Sequence, residues 1–502
     1  MENPALAIKA LAIPVGIYSA LFLYKAWGDR QKLGKIPTVG PTGIFSSYLG
    51  AYRFIYHGRD MIQEGYDQYR GSAFKIAGIS KWLVFVRSRE MIEELRKAPE
   101  DQASFQEAAA EALQTMYTIG PEIHFNSYHI PVIRSTLTRN MIECFPELQD
   151  EISTAFGEHL PATEGWTEVT VLPTIMQIVC RTSNRVFVGL PLCRDLDYRS
   201  LNITFTIDVI NSARAINLFP TVLQPLAGRI FSKGPAGFKR AMRHIEPMVL
   251  ERLYQEEQFG KDWPGKPNDI ITWLLDAGEG SQRTPRDVAV RLLHINFASI
   301  HTTSMSFTEA LFNLAAYPSH VAELREEVES VIKEEGMTKT ALQKMHKVDS
   351  FIKETLRLAA GGALIMQRVL MKDFTFSDGT FVPKGNMIAV PNYAIHHDEE
   401  NYTNPNTFDG FRFSRMRENE EGGATKHQAA TLGLDYIAFG NGRHACPGRF
   451  FAVNQLKALF AHVLLHYDVM LKEGCERPAD KWFSHKSTPD PAGVVMFRKR
   501  RV

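Results

Sequence analysis

Ten residues near the C-terminal end, Phe439 to Gly448 (FGNGRHACPG), set Cys446 at the mouth of a predicted helix that continues as RFFAVNQLKALFAHVLLHY. Gly440, Gly442 and Gly448 let the backbone pass close to a flat ligand. Pro447 suits a first helical turn, where the donor it lacks would be orphaned. Exposed N–H groups at a helix start, with Arg443 and His444 beside them, favour a thiolate and aim hydrogen bonds at its sulfur. Such a thiolate is a reactive nucleophile or a metal ligand; the plain alternative is a structural cysteine buried ahead of a helix.

Two further stretches carry chemistry. FIKETLRLAAGG, Phe351 to Gly362, puts Glu354 and Arg357 three apart on one helix face, where they can pair. Arg291 to Tyr317 (RLLHINFASIHTTSMSFTEALFNLAAY) reads as a long helix with small and hydroxyl residues in its middle. Thr302, Thr303 and Ser306 can bond back to carbonyls one turn earlier, opening the ladder for water and a diatomic ligand. A small-residue face where two helices cross is the alternative. His294 and His301 share a helix face but lack a third ligand for a metal, and the cluster His396 to Glu399 reads as structural.

The elements that must position these residues are mostly helical. Amphipathic patterns cover 165–190, 199–217, 236–257, 285–317 and 318–335, whereas SAFKIAG and KWLVFVRS are short β-rich runs followed by a helix from Arg89 to Ala98. The fold class is mostly α with a minor β part. Leu218 to Gly228 (LFPTVLQPLAG) interrupts the helices. It reads as a core-contacting loop or as a loop dipping into a membrane interface near a substrate entrance.

With 44% hydrophobic and 23% charged residues the chain can bury a large core, and no linker composition divides it after residue 50. A net charge of +1 gives no argument for nucleic acid. The five cysteines, Cys144, Cys180, Cys193, Cys446 and Cys475, are widely spaced with no CxxC, so neither a disulfide framework nor a zinc module is indicated, and a reducing compartment is expected. Ala5 to Tyr24 is apolar apart from Lys9 and Ser19, and Lys25, Arg30, Lys32 and Lys35 follow. That order predicts a single transmembrane helix with the main domain in the cytoplasm, against a cleaved signal peptide as the alternative. The expected organisation is a membrane anchor with its basic flank over 1–35, a proline-rich hinge over 36–50 and one catalytic domain over 51–502.

The Phe439–Gly448 stretch resembles the haem-binding loop of the cytochrome P-450 monooxygenases, with Phe439, Gly442, Cys446 and Gly448 in the matching places. Glu354 and Arg357, with Pro405, Phe408, Arg412 and Phe413 downstream, are similar to the family's Glu-x-x-Arg helix and its Pro-x-x-Phe-x-x-x-Arg-Phe stretch. Ala298, Ser299, Ile300, His301 and Thr302 resemble its oxygen-binding groove, with Ser299 and His301 departing from the usual glycine and acid. Similar His-Thr-Thr forms occur in fungal-type members acting on terpenoids and other secondary metabolites.

The resemblance implies the cytochrome P-450 fold and Cys446 as the axial ligand of haem b. It implies Thr302, with His301 and Thr303, as the catalytic set, and a structural triad of Glu354, Arg357 and Arg412. Haem carboxylates would be met by Arg134, Arg368 and His444, although the tryptophan usual four residues before Arg134 is Ile130. Gly361, Gly362 and Ala363, small where prolines are common after the Glu-x-x-Arg helix, would with Ala298 line room for a bulky apolar substrate. Dioxygen would be used with electrons from an NADPH-cytochrome P-450 reductase at the endoplasmic reticulum membrane, docking on Arg134, Arg139, Arg443, Arg449 and Lys457. The loss of the acid at His301 keeps a reductase-independent haem-thiolate isomerase or dehydratase as an alternative, beside a haem-binding protein without turnover.

Overall fold

The computed structural model describes residue 28 and residues 31–79, 81–359 and 361–500. The apolar run Ala5–Tyr24 lies outside them, and among the described residues no helix is long and apolar enough to cross a membrane. The principal helices are α1 (Ser47–Gln68), α2 (Arg89–Lys97), α3 (Phe105–Leu113), α4 (Thr138–His159), α5 (Val171–Phe187), α6 (Leu196–Asn217), α7 (Gln224–Phe231), α8 (Gly234–Phe259), α9 (Pro285–Ala316), α10 (Val321–Glu335), α11 (His346–Ala359), α12 (Arg412–Asn419) and α13 (Arg449–His466). Several start where a side chain caps the first turn. Thr284 accepts from Asp287 N at 3.3 Å just before Pro285 opens α9, and Asp195 accepts from Tyr198 N at 2.8 Å at the start of α6.

The strands are β1 (Thr38–Val39), β2 (Phe74–Ala77), β3 (Trp82–Phe85), β4 (Ala103–Ser104), β5 (Thr167–Thr170), β6 (Ile365–Leu370), β7 (Met387–Val390), β8 (Tyr467–Met470), β9 (Lys481–Phe483), β10 (Lys486–Thr488) and β11 (Val494–Lys499). One sheet runs β1-β2-β3-β7-β6-β4, and a second runs β8-β11-β5. The expected helix 165–190 therefore begins only at Val171, because Thr167–Thr170 pairs antiparallel with β11. Alternation along β6 buries Met366, Arg368 and Leu370 on one face, which turns the Arg368 guanidinium inward.

The first residues of the expected stiff hinge over 36–50 pack onto the sheet. β1 pairs in parallel with β2, Ile36 and Val39 are buried beside Phe74 and Ile76, and the expected boundary at residue 51 falls inside α1. The segment Leu218–Gly228 is also more ordered than a loop, with a 3-10 turn at Thr221–Leu223 leading into α7. One large core joins α4, α5, α9, α11 and α13; a second fills the space between α1 and the six-stranded sheet.

Beneath these cores lies a buried charge cluster. Arg357 donates through Nε and Nη2 to the two carboxylate oxygens of Glu354, at 2.7 and 2.8 Å, and Arg412 Nε reaches Glu354 Oε1 at 3.1 Å. Arg357 also donates to the carbonyls of His396 and Pro405. His396 extends the network: its Nδ1 donates to Arg357 O at 2.9 Å, and its Nε2 accepts from Ile437 N at 3.0 Å. This pairing requires a neutral ring. Burial, then the neighbouring Arg357 and His397, bring the His396 imidazolium down to about 3.

Two outcomes follow from this network. Arg357→Leu leaves the Glu354 carboxylate buried with one guanidinium fewer and is expected to cost about 3–5 kcal/mol in chemical denaturation. Because the folded pKa of His396 is depressed, the unfolded chain takes up a proton that the native state refuses as pH falls from about 6.5 toward 3. Its contribution is full above that window and is lost through it by about 1.4 kcal/mol per pH unit, so denaturation at pH 7 and pH 5 should show a shallower pH slope in His396→Gln than in the parent.

Candidate active site

Helix α9 is buried along most of its length, yet Ala298 and Thr302, one turn apart in its middle, are exposed. At about 3.6 residues per turn, Asp287, Arg291, His294, Ala298 and Thr302 fall on one stripe. Helix α13, which follows the Cys446 loop, packs against α9, so the loop and this gap belong to one region. Thr302 Oγ1 donates to Ala298 O at 2.7 Å with Ser299 O at 3.2 Å, and Ser304 bonds back to Ile300 O. Thr303 is buried and, like Ser306, makes no such bond among the described residues. The helix stays continuous, so the expected opening of the ladder does not occur.

His301 turns away from this stripe. Its Nε2 donates to Ile203 O on α6 at 2.9 Å, and burial, partly offset by that carbonyl, lowers its pKa. It is therefore neutral and tied to α6, which removes the geometry that a relay to Thr302 would need. His294 and His301 do not share a site, and no group of three His, Cys, Asp or Glu is placed to hold a metal among the described residues.

The Cys446 loop is bonded at several points. Cys446 N donates to Phe439 O at 2.8 Å, Gly440 N donates to Ile437 O at 2.8 Å, and Asn441 caps the short turn Gly442–His444. Phe439 packs on Ala429, Ala430 and Val453. At Gly442, with φ +70°, a Cβ would sit 2.5 Å from Arg96 Cγ, so only glycine permits this approach. α13 begins at Arg449 with Gly448 as its cap, which places Pro447 before the helix and outside its first turn. The thiol pKa is raised, because burial outweighs the Gly448 and Arg449 backbone N–H groups and the Arg449 charge that favour the thiolate. A ligated cation at the sulfur would reverse that balance.

The donors expected around a haem converge. Arg368 is buried, its only side-chain hydrogen bond among the described residues is to Gln367 O at 2.7 Å, and desolvation takes its pKa down to about 10. Its guanidinium lies 5.5 Å from the centre of the Phe105 ring, and the His444 ring is tilted against the same ring at 5.7 Å. His444 Nε2 is 2.8 Å from Glu100 Oε2 without good alignment and is otherwise unpartnered. Against the cost of burial, the nearby His444 ring and hydrogen bonds from Ser104 and Gln106 N hold the Glu100 carboxyl down to about 2. Arg134, in the π-turn Val132–Leu137, donates to Arg443 O at 2.9 Å. A buried guanidinium with one neutral acceptor and a poorly paired imidazole suit an anionic group, and a half-buried cysteine facing backbone donors suits a metal. This donor set fits haem.

The remaining expected residues lie elsewhere or are filled in. Gly361 is exposed, but a Cβ on Gly362 would meet His485 O at 2.8 Å, and Ala363 N donates to the same carbonyl at 2.7 Å with its side chain in the second core. The room expected at Gly362 and Ala363 is thus taken by the turn between β9 and β10. Lys457 is buried against Asp349 at 3.0 Å and cannot contribute to a docking face; Arg134, Arg139 and Arg443 are exposed.

The comparisons agree with this geometry. The family profile described as cytochrome P-450 matches residues 45–496. The chain is 41% identical to cytochrome P-450 monooxygenase 71 of Postia placenta over all of this chain and 99% of that protein. It is 33% identical to cytochrome P-450 monooxygenase CYP512U6 of Ganoderma lucidum over 98% of both, and 32% identical to cytochrome P-450 monooxygenase olcJ of Penicillium canescens over 98% of this chain and 93% of its relative. The chain belongs to the cytochrome P-450 family of haem-thiolate monooxygenases.

Proposed function

We propose that this protein hydroxylates or further oxidises a bulky apolar substrate, a terpenoid or related secondary metabolite, with Cys446 as the axial haem ligand and electrons from an NADPH-cytochrome P-450 reductase. The observation that carries the reading is the pair Ala298 and Thr302, exposed in the middle of a buried helix that packs on the helix following the cysteine loop. The bound haem supplies dioxygen activation and oxygen-atom transfer.

The chain's residues hold and protect that chemistry. Arg368, His444 and Arg134 would meet the haem carboxylates, and Cys446 would hold the iron. Thr302 Oγ1 spends its hydrogen on Ala298 O, so its lone pairs accept from a water beside it, and that water carries protons inward. His301 Nε2–H is committed to Ile203 O, which leaves Thr302 and water as the route. Ala298, and Gly361 at the mouth, keep space for the substrate.

A membrane location is supported by apolar surface outside the cores. Leu218 is 76% exposed, Val222 71% and Ile230 64% on and before α7, and Phe45, Leu49, Tyr52 and Tyr56 are exposed along the start of α1. Phe483 stands edge-on to Tyr56 at 6.4 Å and under Arg214 of α6 at 5.5 Å. Exposed apolar surface of this kind buries its area in lipid and lets an apolar substrate enter from there. Residues 1–35 would anchor it in the endoplasmic reticulum with the catalytic part in the cytoplasm, where exposed Arg139 and Arg443 present positive charge to the reductase.

The function is tested by feeding terpenoid and steroid-like compounds to membranes carrying the protein and the reductase under labelled dioxygen. Product should form only with NADPH and carry the label; unlabelled product without NADPH would instead favour isomerase or dehydratase chemistry. Thr302→Ala should keep NADPH consumption while product per NADPH falls by about tenfold or more, measured as the ratio of product to NADPH oxidised.

A further inference from the structure

The stripe of α9 that holds Ala298 and Thr302 continues one turn toward the N-terminus to His294, and its surroundings are unusual. Nδ1 of His294 is buried with no hydrogen-bond partner among the described residues. Its ring stacks on Phe297 at 6.2 Å and stands edge-on to His129 at 5.2 Å. Buried imidazole nitrogens ordinarily find a partner, because leaving one unpaired wastes the hydration it gave up.

The next turn carries a hydrogen-bonded ionic network. Arg291 donates through Nε and Nη2 to Asp287, at 2.7 and 3.0 Å, and through Nη1 to Asn126 O at 2.7 Å and His129 Nδ1 at 2.9 Å. Tyr128 donates to Asp287 Oδ2 at 2.7 Å and lies under the guanidinium. Because a guanidinium only donates, His129 must accept at Nδ1 and carry its proton on Nε2. Arg291, Asp287 and Tyr128 are paired within the network, so none of them is left over for His294. His294 is the boundary between this paired end and the gap above Ala298.

We propose that His294 anchors the oxygen function of the substrate, an apolar polycyclic skeleton whose hydroxyl or carbonyl hydrogen-bonds to the His294 imidazole while the carbon attacked lies near Thr302. The inference rests on the reading of Thr302 as the oxygen-binding side of the site. Eight residues separate the two positions, roughly 12 Å of helix at about 1.5 Å per residue, which is the length of a tricyclic or tetracyclic skeleton. Ala298, between them, leaves the floor low enough for a rigid ring system to lie flat along the stripe. Burial and the adjacent Arg291 bring the His294 imidazolium down to about 4, so the ring is neutral and offers one donor and one acceptor. It therefore takes a hydroxyl or a carbonyl, but not a carboxylate in preference to either.

The test is spectral titration of the haem-loaded full chain with matched pairs, androstanol against androstane and the diterpene alcohol abietol against abietadiene. The thiolate-type carbon monoxide difference band is recorded first, without ligand; its absence from the parent protein would overturn the Cys446 reading and this proposal with it. With the band present, at least one alcohol should bind about tenfold more tightly than its hydrocarbon, as expected of a site built to pair a substrate hydroxyl. His294→Leu should abolish that preference without weakening hydrocarbon binding. His294→Asn, whose amide can stand where Nδ1 stands, should retain most of it. Alcohols binding no better than their hydrocarbons, or a preference that survives in His294→Leu, would overturn the assignment. A loss of haem in His294→Leu with the preference intact in the loaded fraction would also overturn it, assigning His294 to a haem carboxylate.

Discussion

A single buried carboxylate organises the C-terminal half of this molecule. Glu354 holds Arg357 on its own helix and Arg412 from fifty-eight residues on, and Arg357 in turn holds the carbonyls of His396 and Pro405. Through His396 the chain of hydrogen bonds reaches the backbone N–H of Ile437, two residues before the haem loop begins. Charges removed so far from water add little net stability when paired. Their value here is directional, since each guanidinium fixes the course of a segment that has little regular structure of its own.

That constraint delivers the loop to one side of α9, and α9 answers with a stripe of changing character. From its N-terminal end the stripe passes from a fully paired ionic network, through an unpaired imidazole, to a methyl group and then a hydroxyl. Polarity is graded along the helix, which lets a single rigid element position both ends of a ligand. Two of the donors, Arg368 and His444, come from distant parts of the chain and share the Phe105 ring.

Much of this was legible in the residues. The glycine-cysteine loop, the Glu354–Arg357 spacing and the helical stretches are local patterns, and local patterns survive folding. Other features are products of tertiary packing. Gly362 and Ala363 looked like open space because small residues serve equally to admit a ligand or a neighbouring backbone, and here the turn at His485 takes the room. Lys457 looked like surface charge until Asp349, more than a hundred positions earlier, was folded against it. Glu100 and Phe105 carried no motif at all. His129 did leave a trace, as a histidine beside Ile130 where an aromatic was expected. His301 was misjudged for a different reason: position on a helix is periodic, but the carbonyl that captures a side chain belongs to another helix.

Gly442 has a further consequence for how the protein comes into being. Its missing side chain lets the loop rest against Arg96, and Arg443 is held by Arg134, so the sulfur is framed by contacts spanning 345 and 309 residues. The N-terminal half of the frame leaves the ribosome long before the cysteine does. Closing loops of that length is slow, and nothing local rewards the wait. The cradle for the cofactor is therefore among the last parts of the chain to assemble. A nascent protein must keep its half-built pocket from collapsing or aggregating until Cys446 has been made.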